Sequence, residues 1–290
     1  MREQTVLAYA KVNLTLDILR RRPDGYHDLE MVMQSISLHD VVTVRAETGS
    51  GGIIVHAGRE DLPSGPENIA WKAADAFFRA AGLRSDGVEI TIEKNIPAAA
   101  GMAGGSADGA AVLRALRGIL CPEMPDTELE EIGARVGSDV PFCVHGGTAL
   151  AEGRGERLTD LPPMPACSMV ICKPEFGLST PKLFGRVRAD ELKRRPDHDA
   201  MKAALAAGDL PGVAGSLCNV FCEVLTEEEA LEIAHIRHAM LENGALNAVM
   251  TGSGPTVFGL FEKEAAARAA ADLLKEEYAQ VFLAEPVNSK

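Results

Sequence analysis

This sequence is short of aromatic residues, long hydrophobic runs and basic residues. Aromatic residues occupy only 4% of the 290 positions, so its core must be built mainly from aliphatic and alanine side chains. No apolar run approaches the roughly 18 residues that a membrane-spanning helix requires. The formal net charge of −13 argues against non-specific nucleic-acid binding, because such binding requires a basic face.

The six cysteines lack the spacing of a metal site or a disulfide framework. The N-terminal stretch MREQTVLAYAKVNLTLDIL does not have the regions of a signal peptide, so we expect free thiols in a cytoplasmic chain. Cys218 and Cys222 are predicted to share one face of a helix. His235 and His238 are predicted to lie on another helix, but no third ligand is evident, so no protein metal site is expected.

Apolar periodicity predicts an α+β protein in two halves. Strands are predicted over residues 5–19, 29–45, 52–56, 87–93, 168–173 and 280–284, with two more runs around a glycine turn within 248–261. Helices are predicted over 68–81, 106–120 and 262–277. The Pro-rich stretch LTDLPPMPAC is the best candidate for a boundary, which gives domains 1–160 and 161–290.

The strongest local signal is the small-residue run PAAAGMAGGSADGAA at 97–111, between a predicted strand and a predicted helix. Gly101, Gly104 and Gly105 are predicted to take positive φ and to let the backbone approach a ligand closely. The N–H groups and the dipole of the helix start attract an anion such as phosphate. The run is neither a P-loop nor a Rossmann fingerprint. Taken alone, it also fits a tight turn that lets a helix pack closely.

The pattern Pro-x-x-x-Gly-hydrophobic-small-Gly-Gly-Ser-x-Asp in this run resembles the phosphate-binding motif of the GHMP kinases. Two other stretches resemble further motifs of this family, AKVNL at 10–14 and TGSGPTV at 251–257. Three motifs in the family's order, spread over nearly the whole chain, are far more specific than any one of them. The family often has another glycine where this chain has Ala103.

The resemblance implies a two-domain GHMP kinase fold, with a ribosomal protein S5 domain 2-like N-terminal domain and a ferredoxin-like C-terminal domain. It also implies ATP as the phosphate donor, with Mg²⁺ accompanying the nucleotide. The ATP-binding residues that it implies are Asn68, Ile69, Lys94, Pro97, Ala98, Ala99, Ala100, Gly101, Met102, Ala103, Gly104, Gly105, Ser106 and Ala107.

Asp139 is the best candidate for the base that phosphoryl transfer to a hydroxyl requires. It lies in the run GSDVPF, where Pro141 suits the first turn of a helix. A plain helix cap would give the same pattern, but the family places its catalytic aspartate in a Gly-x-Asp-x-Pro setting. Lys11, between apolar residues of a strand, is predicted to keep this carboxylate ionised and to stabilise the γ-phosphate.

The run RRPDGYH at 21–27 resembles the branch of the family whose substrate is a cytidine-linked methylerythritol. The resemblance implies that Tyr26 and His27 hold the cytosine and that Phe184 forms the opposite wall. A tyrosine face stacks on a base, and an imidazole can hydrogen-bond a pyrimidine edge. Without the family match, Tyr26 and His27 would be no more than a turn followed by a strand.

The remaining predicted substrate contacts are polar or small residues near the motifs. Asn13 shares a strand face with Lys11, and the other contacts are Thr180, Gly252 and Ser253. The predicted partners are ATP and a small cytidine-linked substrate, with no nucleic acid and no membrane, in a monomer or homodimer. Two alternatives stay open: a GHMP kinase for mevalonate or a sugar, and a nucleotide-binding protein that has lost catalysis.

Overall fold

The computed structural model describes residues 2–46, 52–58, 62–84 and 87–288. Within these ranges, no helix is both long and apolar enough to span a bilayer. The strands are β1 (Arg2–Arg21), β2 (His27–Ala46), β3 (Ile53–His56), β4 (Val88–Glu93), β5 (Thr148–Gly153), β6 (Arg157–Asp160), β7 (Ser168–Lys173), β8 (Cys218–Asn219), β9 (Asn247–Met250), β10 (Val257–Phe261) and β11 (Gln280–Ala284). The helices are α1 (Ile69–Ala81), α2 (Gly104–Leu120), α3 (Asp126–Val136), α4 (Val140–His145), α5 (Thr180–Arg186), α6 (His198–Ala207), α7 (Leu210–Gly215), α8 (Glu227–Glu242) and α9 (Glu264–Leu274).

The first of two compact units consists of residues 1–10, 39–96 and 103–145. In it, β4 pairs antiparallel with the C-terminal part of β2 and parallel with β3. Apolar residues alternate along β4, so Val88, Ile90 and Ile92 lie on its buried face. Helix α2 packs against α1, α3 and α4. This helical layer carries the beginning of α2 and the turn that precedes α4.

The second unit consists of residues 11–38, 97–102 and 146–290. Here β5 pairs antiparallel with β2 and with β6, and β8 runs parallel to β1 at Thr15 and Leu16. A separate antiparallel sheet has the strand order β11-β7-β10-β9, and α8 and α9 pack against it. Since α8 precedes β9 and α9 precedes β11, this sheet has the βαββαβ arrangement of a ferredoxin-like fold. The predicted fold class is confirmed.

The strands and helices predicted from periodicity are confirmed, with shifts of at most three residues at their ends. The predicted helix joining Cys218 to Cys222 is wrong. The chain is extended at β8, where Cys218 pairs with Thr15, and only then forms a short 3₁₀ turn over Val220–Glu223. Strands β5 and β6 were not predicted from the sequence. The division at residues 160 and 161 stays a prediction.

Candidate active site

Lys11 and Asn13 lie on one buried face of β1, as the strand period predicts. The Lys11 side chain donates to Asn13 Oδ1 over 2.7 Å and to the carbonyl oxygen of Gly101 over 3.0 Å. The backbone N–H of Asn13 donates to Thr251 Oγ1 over 2.9 Å. Lys11 is only 4% exposed, so its ammonium is held by hydrogen bonds and is shielded from bulk water.

The phosphate-loop segment 97–102 contacts the glycine turn of the C-terminal motif, backbone against backbone. A Cβ atom added at Gly101 would lie only 2.4 Å from the carbonyl oxygen of Thr251, and one added at Gly252 would lie 2.5 Å from the carbonyl oxygen of Gly101. The side chain of Asn219 donates to the carbonyl oxygens of Met250 and Gly252 at 2.7 and 2.9 Å, which fixes the turn. Lys11, residues 97–102 of the phosphate loop and the glycine turn therefore meet within the second unit.

Positive φ occurs at Ala99 (+50°), Gly101 (+72°) and Ala103 (+58°). The prediction for Gly101 is confirmed, but the prediction for Gly104 and Gly105 is wrong. Both of these glycines already belong to α2 and have helical backbones. The left-handed residue that begins the helix is Ala103, so the chain turns one residue earlier than the glycines suggest.

The first turn of α2 presents amide groups that no side chain caps, because Ala103 occupies the N-cap position. Gly104 also has a packing role, since an added Cβ atom would lie 3.0 Å from Ile96 Cγ2. One added at Gly109 would lie 2.8 Å from Ile69 Cγ2. The two interpretations of the loop are therefore compatible: its small residues allow close packing, and they leave the N–H groups of the helix start open to an anion.

Asp139 lies in the turn that leads into α4, and its carbonyl oxygen accepts the N–H of Cys143. Pro141 is the second residue of that helix. The same turn lies beside the start of α2, because a Cβ atom added at Gly137 would be 3.9 Å from Ser106 Oγ. Among the described residues, no side chain pairs with the half-buried Asp139 carboxylate. Its role as the base stays a prediction.

Lys94 does not lie free beside the loop. Its ammonium pairs with Asp40 and donates to Asp108 Oδ2 over 2.7 Å, and all three side chains are at most 8% exposed. Burial raises the pKa of Asp108 to about 7, with a further contribution from the Asp40 carboxylate and an opposing one from Lys94. Contact of Lys94 with a nucleotide stays a prediction.

Aromatic side chains line the predicted pyrimidine site. The rings of His27 and Phe184 stack with centroids 5.0 Å apart, and Phe221 meets the edge of Phe184. Tyr26 is 55% exposed, and the Arg154 guanidinium lies 5.2 Å from its ring centroid. Burial and the charge of Arg21 lower the pKa of His27, which favours the neutral imidazole that can both donate and accept.

Other predicted contacts have local partners. The hydroxyls of Thr180 and Ser253 are 2.7 Å apart. Asn68 caps α1 by accepting the N–H of Ala70, while its amide group donates to the carbonyl oxygen of Pro63. Sequence reasoning missed several of the residues described above, because each depends on contacts distant in the chain: Asp40, Asp108, Arg154 and Asn219. The aspartate of the loop motif was a visible signal for Asp108.

Two family models match the chain. The one described as GHMP kinases N terminal domain matches residues 68–147, and the one described as GHMP kinases C terminal matches residues 201–280. A 4-diphosphocytidyl-2-C-methyl-D-erythritol kinase from Pelotomaculum thermopropionicum is 44% identical over 286 residues, covering 99% of this chain and 99% of the relative. The chain belongs to the GHMP kinase family. As a GHMP kinase, it transfers a phosphoryl group from ATP to a small molecule.

Further relatives agree with this assignment. The kinase of the same name from Clostridium tetani is 40% identical to this GHMP kinase, over 97% of the present chain and 99% of the relative. A crystal structure of 4-(cytidine 5'-diphospho)-2C-methyl-D-erythritol kinase matches with a TM-score of 0.82 and 34% identity, covering 99% of this chain and 100% of the other. The homoserine kinase from Cytophaga hutchinsonii, at 18% identity and a TM-score of 0.75, shares the fold.

Proposed function

We propose that this chain transfers the γ-phosphoryl group of ATP to the 2-hydroxyl of 4-diphosphocytidyl-2-C-methyl-D-erythritol, a step of the non-mevalonate route to isoprenoid precursors. Two observations together carry the proposal. A near full-length relative named for that activity is 44% identical to this chain. The aromatic side chains of Tyr26, His27 and Phe184 are of the kind that such a cytidine-linked substrate requires. A kinase for mevalonate or a free sugar has no use for such an aromatic site.

In the proposed reaction, Asp139 accepts the proton of the 2-hydroxyl as its oxygen attacks the γ-phosphorus. The new P–O bond forms while the bond to the β-phosphate oxygen breaks, and ADP leaves. Lys11 stabilises charge on the transferring group, since its ammonium is already held by Asn13 and the loop carbonyl of Gly101. The acceptor is a tertiary alcohol, so accurate placement by Asn13 contributes to the rate.

The triphosphate is proposed to bind the loop of residues 97–107, with the open amides at the start of α2 and the Ser106 hydroxyl as donors. Mg²⁺ brought with the nucleotide would neutralise part of the phosphate charge at this loop. Asn68 and Ile69 are proposed to border the adenine at the start of α1. For Asn68 this requires backbone or edge contacts, since its side chain caps the helix.

The cytosine is proposed to stack on the exposed face of Tyr26, with the neutral His27 hydrogen-bonding its edge. The other face of Tyr26 is covered by the cation of Arg154, which strengthens a stacked arrangement. Phe184 is the opposite wall, supported by Phe221. Further substrate contacts come from Thr180, Gly252 and Ser253. We propose a cytoplasmic enzyme, monomeric or homodimeric, that does not act on nucleic acid.

The proposal is tested by following ATP consumption with the cytidine-linked substrate and with free polyols, for the wild type and Asp139→Asn. The wild type should act on the cytidine-linked compound alone. Loss of a general base should lower turnover by about 100- to 10,000-fold, while ATP affinity from calorimetry stays within about twofold. Equal turnover of a substrate without cytidine would overturn the substrate assignment. Unchanged turnover in Asp139→Asn would remove Asp139 from the mechanism.

A further inference from the structure

A buried ionic cluster in the first unit links the two segments between which the phosphate loop lies. Asp40 comes from β2, Lys94 follows β4 at the entry to the loop, and Asp108 is the fifth residue of α2, after the loop. One ammonium therefore bridges a carboxylate on a strand and a carboxylate on the helix start. Asp40 Oδ1 also accepts the backbone N–H of Ile96 over 2.8 Å.

The cluster lies beside the first residue of α2, where the amides are open to an anion. A Cβ atom added at Gly104, the first residue of α2, would be 3.6 Å from Lys94 Nζ. Asp40 accepts the N–H groups of both Asn95 and Ile96, so it fixes the backbone that leads into the loop. Any shift of Lys94 would therefore move both the entry of the loop and the first turn of the helix.

The ammonium of Lys94 is already committed to two carboxylates. Moving it to a phosphate oxygen would remove the cationic partner of both buried carboxylates and leave Asp40 with only the backbone N–H groups of Asn95 and Ile96, which is strongly unfavourable. The side chain of Asp40 is completely buried. These contacts favour a role for Lys94 inside the protein over direct contact with ATP.

We infer that Asp40, Lys94 and Asp108 form an ionic clamp that fixes the amides at the start of α2 for the phosphates of ATP, with Lys94 and Asp108 as positioning residues. The inference rests on the proposed function in one respect, that the anion at this helix start is ATP. It assigns no contact between Lys94 and the nucleotide.

The first experiment compares Asp108→Ala with Asp108→Asn by steady-state kinetics. Asp108→Ala removes the acceptor of Lys94 and should raise KM for ATP at least about tenfold, because misplaced donors lose binding. KM for the second substrate, and kcat at saturating ATP, should stay within about threefold. Asp108→Asn keeps an oxygen that accepts from Lys94 and should restore most of the ATP affinity, which a loss of packing alone does not explain.

The matched control is Asp126→Ala, which breaks the ion pair between Arg117 and Asp126 in the same unit, away from the loop. It should leave KM for ATP unchanged. If Asp108→Ala unfolds cooperatively on heating and its KM for ATP equals that of the wild type, the clamp is overturned. An equal rise in the control would overturn it as well.

The second experiment combines Lys94→Met with Asp108→Ala. Losses of ATP affinity from residues of one clamp should not add. The double variant should therefore bind ATP about as tightly as whichever single variant binds it less tightly. Weak ATP binding in Lys94→Met together with normal binding in Asp108→Ala would identify a direct phosphate ligand and overturn the inference. If Lys94→Met does not fold, the comparison of Asp108→Ala with Asp108→Asn decides.

Calorimetric titration with ATP separates the inference from the proposed function. A wild type that binds ATP but does not phosphorylate the cytidine-linked compound would contradict the substrate assignment and leave the clamp intact. If the wild type turns over normally and Asp108→Ala binds ATP with the same affinity as the wild type, the clamp alone is contradicted.

Discussion

Several charged side chains are buried in a core that is otherwise mainly aliphatic. Lys11, Asp40 and Lys94 each have at least one defined partner, as the cost of burying a charge demands. Asp108 also pairs with Lys94 through Oδ2, but its Oδ1 atom is buried and has no hydrogen-bond partner among the described residues. An unpaired carboxylate oxygen in such a place favours protonation of the group.

The pH dependence of stability should expose Asp108. Its pKa is raised from 3.8 to about 7 in the folded protein, so its favourable contribution is present below pH 3.8 and is lost as the pH rises through about 7. Asp108→Asn, which carries no charge, should therefore increase the free energy of unfolding relative to the wild type more at about pH 8 than at about pH 5. Urea unfolding at the two pH values measures this difference.

Asp126→Asn is the control for this prediction, because the Asp126 side chain is 40% exposed and pairs with Arg117. It should not reproduce the increase at high pH. The same stability difference between wild type and Asp108→Asn at both pH values would show that Asp108 does not titrate in this range.

At the scale of elements, the loop of residues 97–102 and the glycine turn of residues 251–254 depend on each other's shape. Gly101 and Gly252 both have positive φ, and each would place a Cβ atom within 2.5 Å of the other segment's backbone. Asn219 then fixes the turn through its carbonyl oxygens. A side chain on either glycine must push the two segments apart.

We expect Gly101→Ala to disturb both stability and ATP binding. The added Cβ atom meets a backbone oxygen at 2.4 Å, and backbone cannot move aside as a flexible side chain does. Overpacking of this kind costs about 1–3 kcal/mol, and the left-handed backbone adds about 1 kcal/mol. Thermal unfolding and the KM for ATP measure the two effects.

Gly177→Ala is a matched control in the same unit, because an added Cβ atom there meets nothing within 4 Å. It should leave both quantities close to those of the wild type. A Gly101→Ala variant as stable and as active as Gly177→Ala would mean that the loop and the glycine turn are not in close contact in solution.

At the scale of the whole molecule, the chain is acidic yet is proposed to bind two polyanions, ATP and a cytidine diphosphate derivative. Its net charge of −13 does not attract such ligands at long range. The proposed function would then rest on local groups, such as the open amides of α2 and the Lys11 ammonium, together with a cation brought by the nucleotide. Among the described residues, no cluster of His, Cys, Asp and Glu could hold a metal ion.

Chelation should therefore stop turnover without affecting the fold. Removal of Mg²⁺ with EDTA should reduce ATP consumption to background, since the metal ions neutralise charge between the β- and γ-phosphates. The Tm of the nucleotide-free protein should be the same with and without EDTA, because a structural metal would contribute to folding. Differential scanning fluorimetry and the ATP-consumption assay check the two halves, and a lower Tm in EDTA would point to a resident metal.

Most of the strands and helices, and the family, could be predicted from the sequence because their signals are local. Period-two alternation predicts β4, and an N-cap residue and a glycine mark the two ends of α1. Three short motifs in the family's order identify a GHMP kinase. Strands β5 and β6 escaped prediction. Their six and four residues carry too little local pattern, and they become strands through pairing of β5 with β2 and of β5 with β6.

The sequence by itself determined which residue types stand at the phosphate loop, at Asp139 and at Lys11. Only the tertiary structure decided what those residues contact. It moved positive φ from Gly104 and Gly105 to Ala103, paired Lys94 with two buried carboxylates, and set Arg154 over Tyr26. The physical reason is distance along the chain: spacing fixes the face on which a side chain lies, but partners 14 or more residues away are selected by packing and charge once the elements meet.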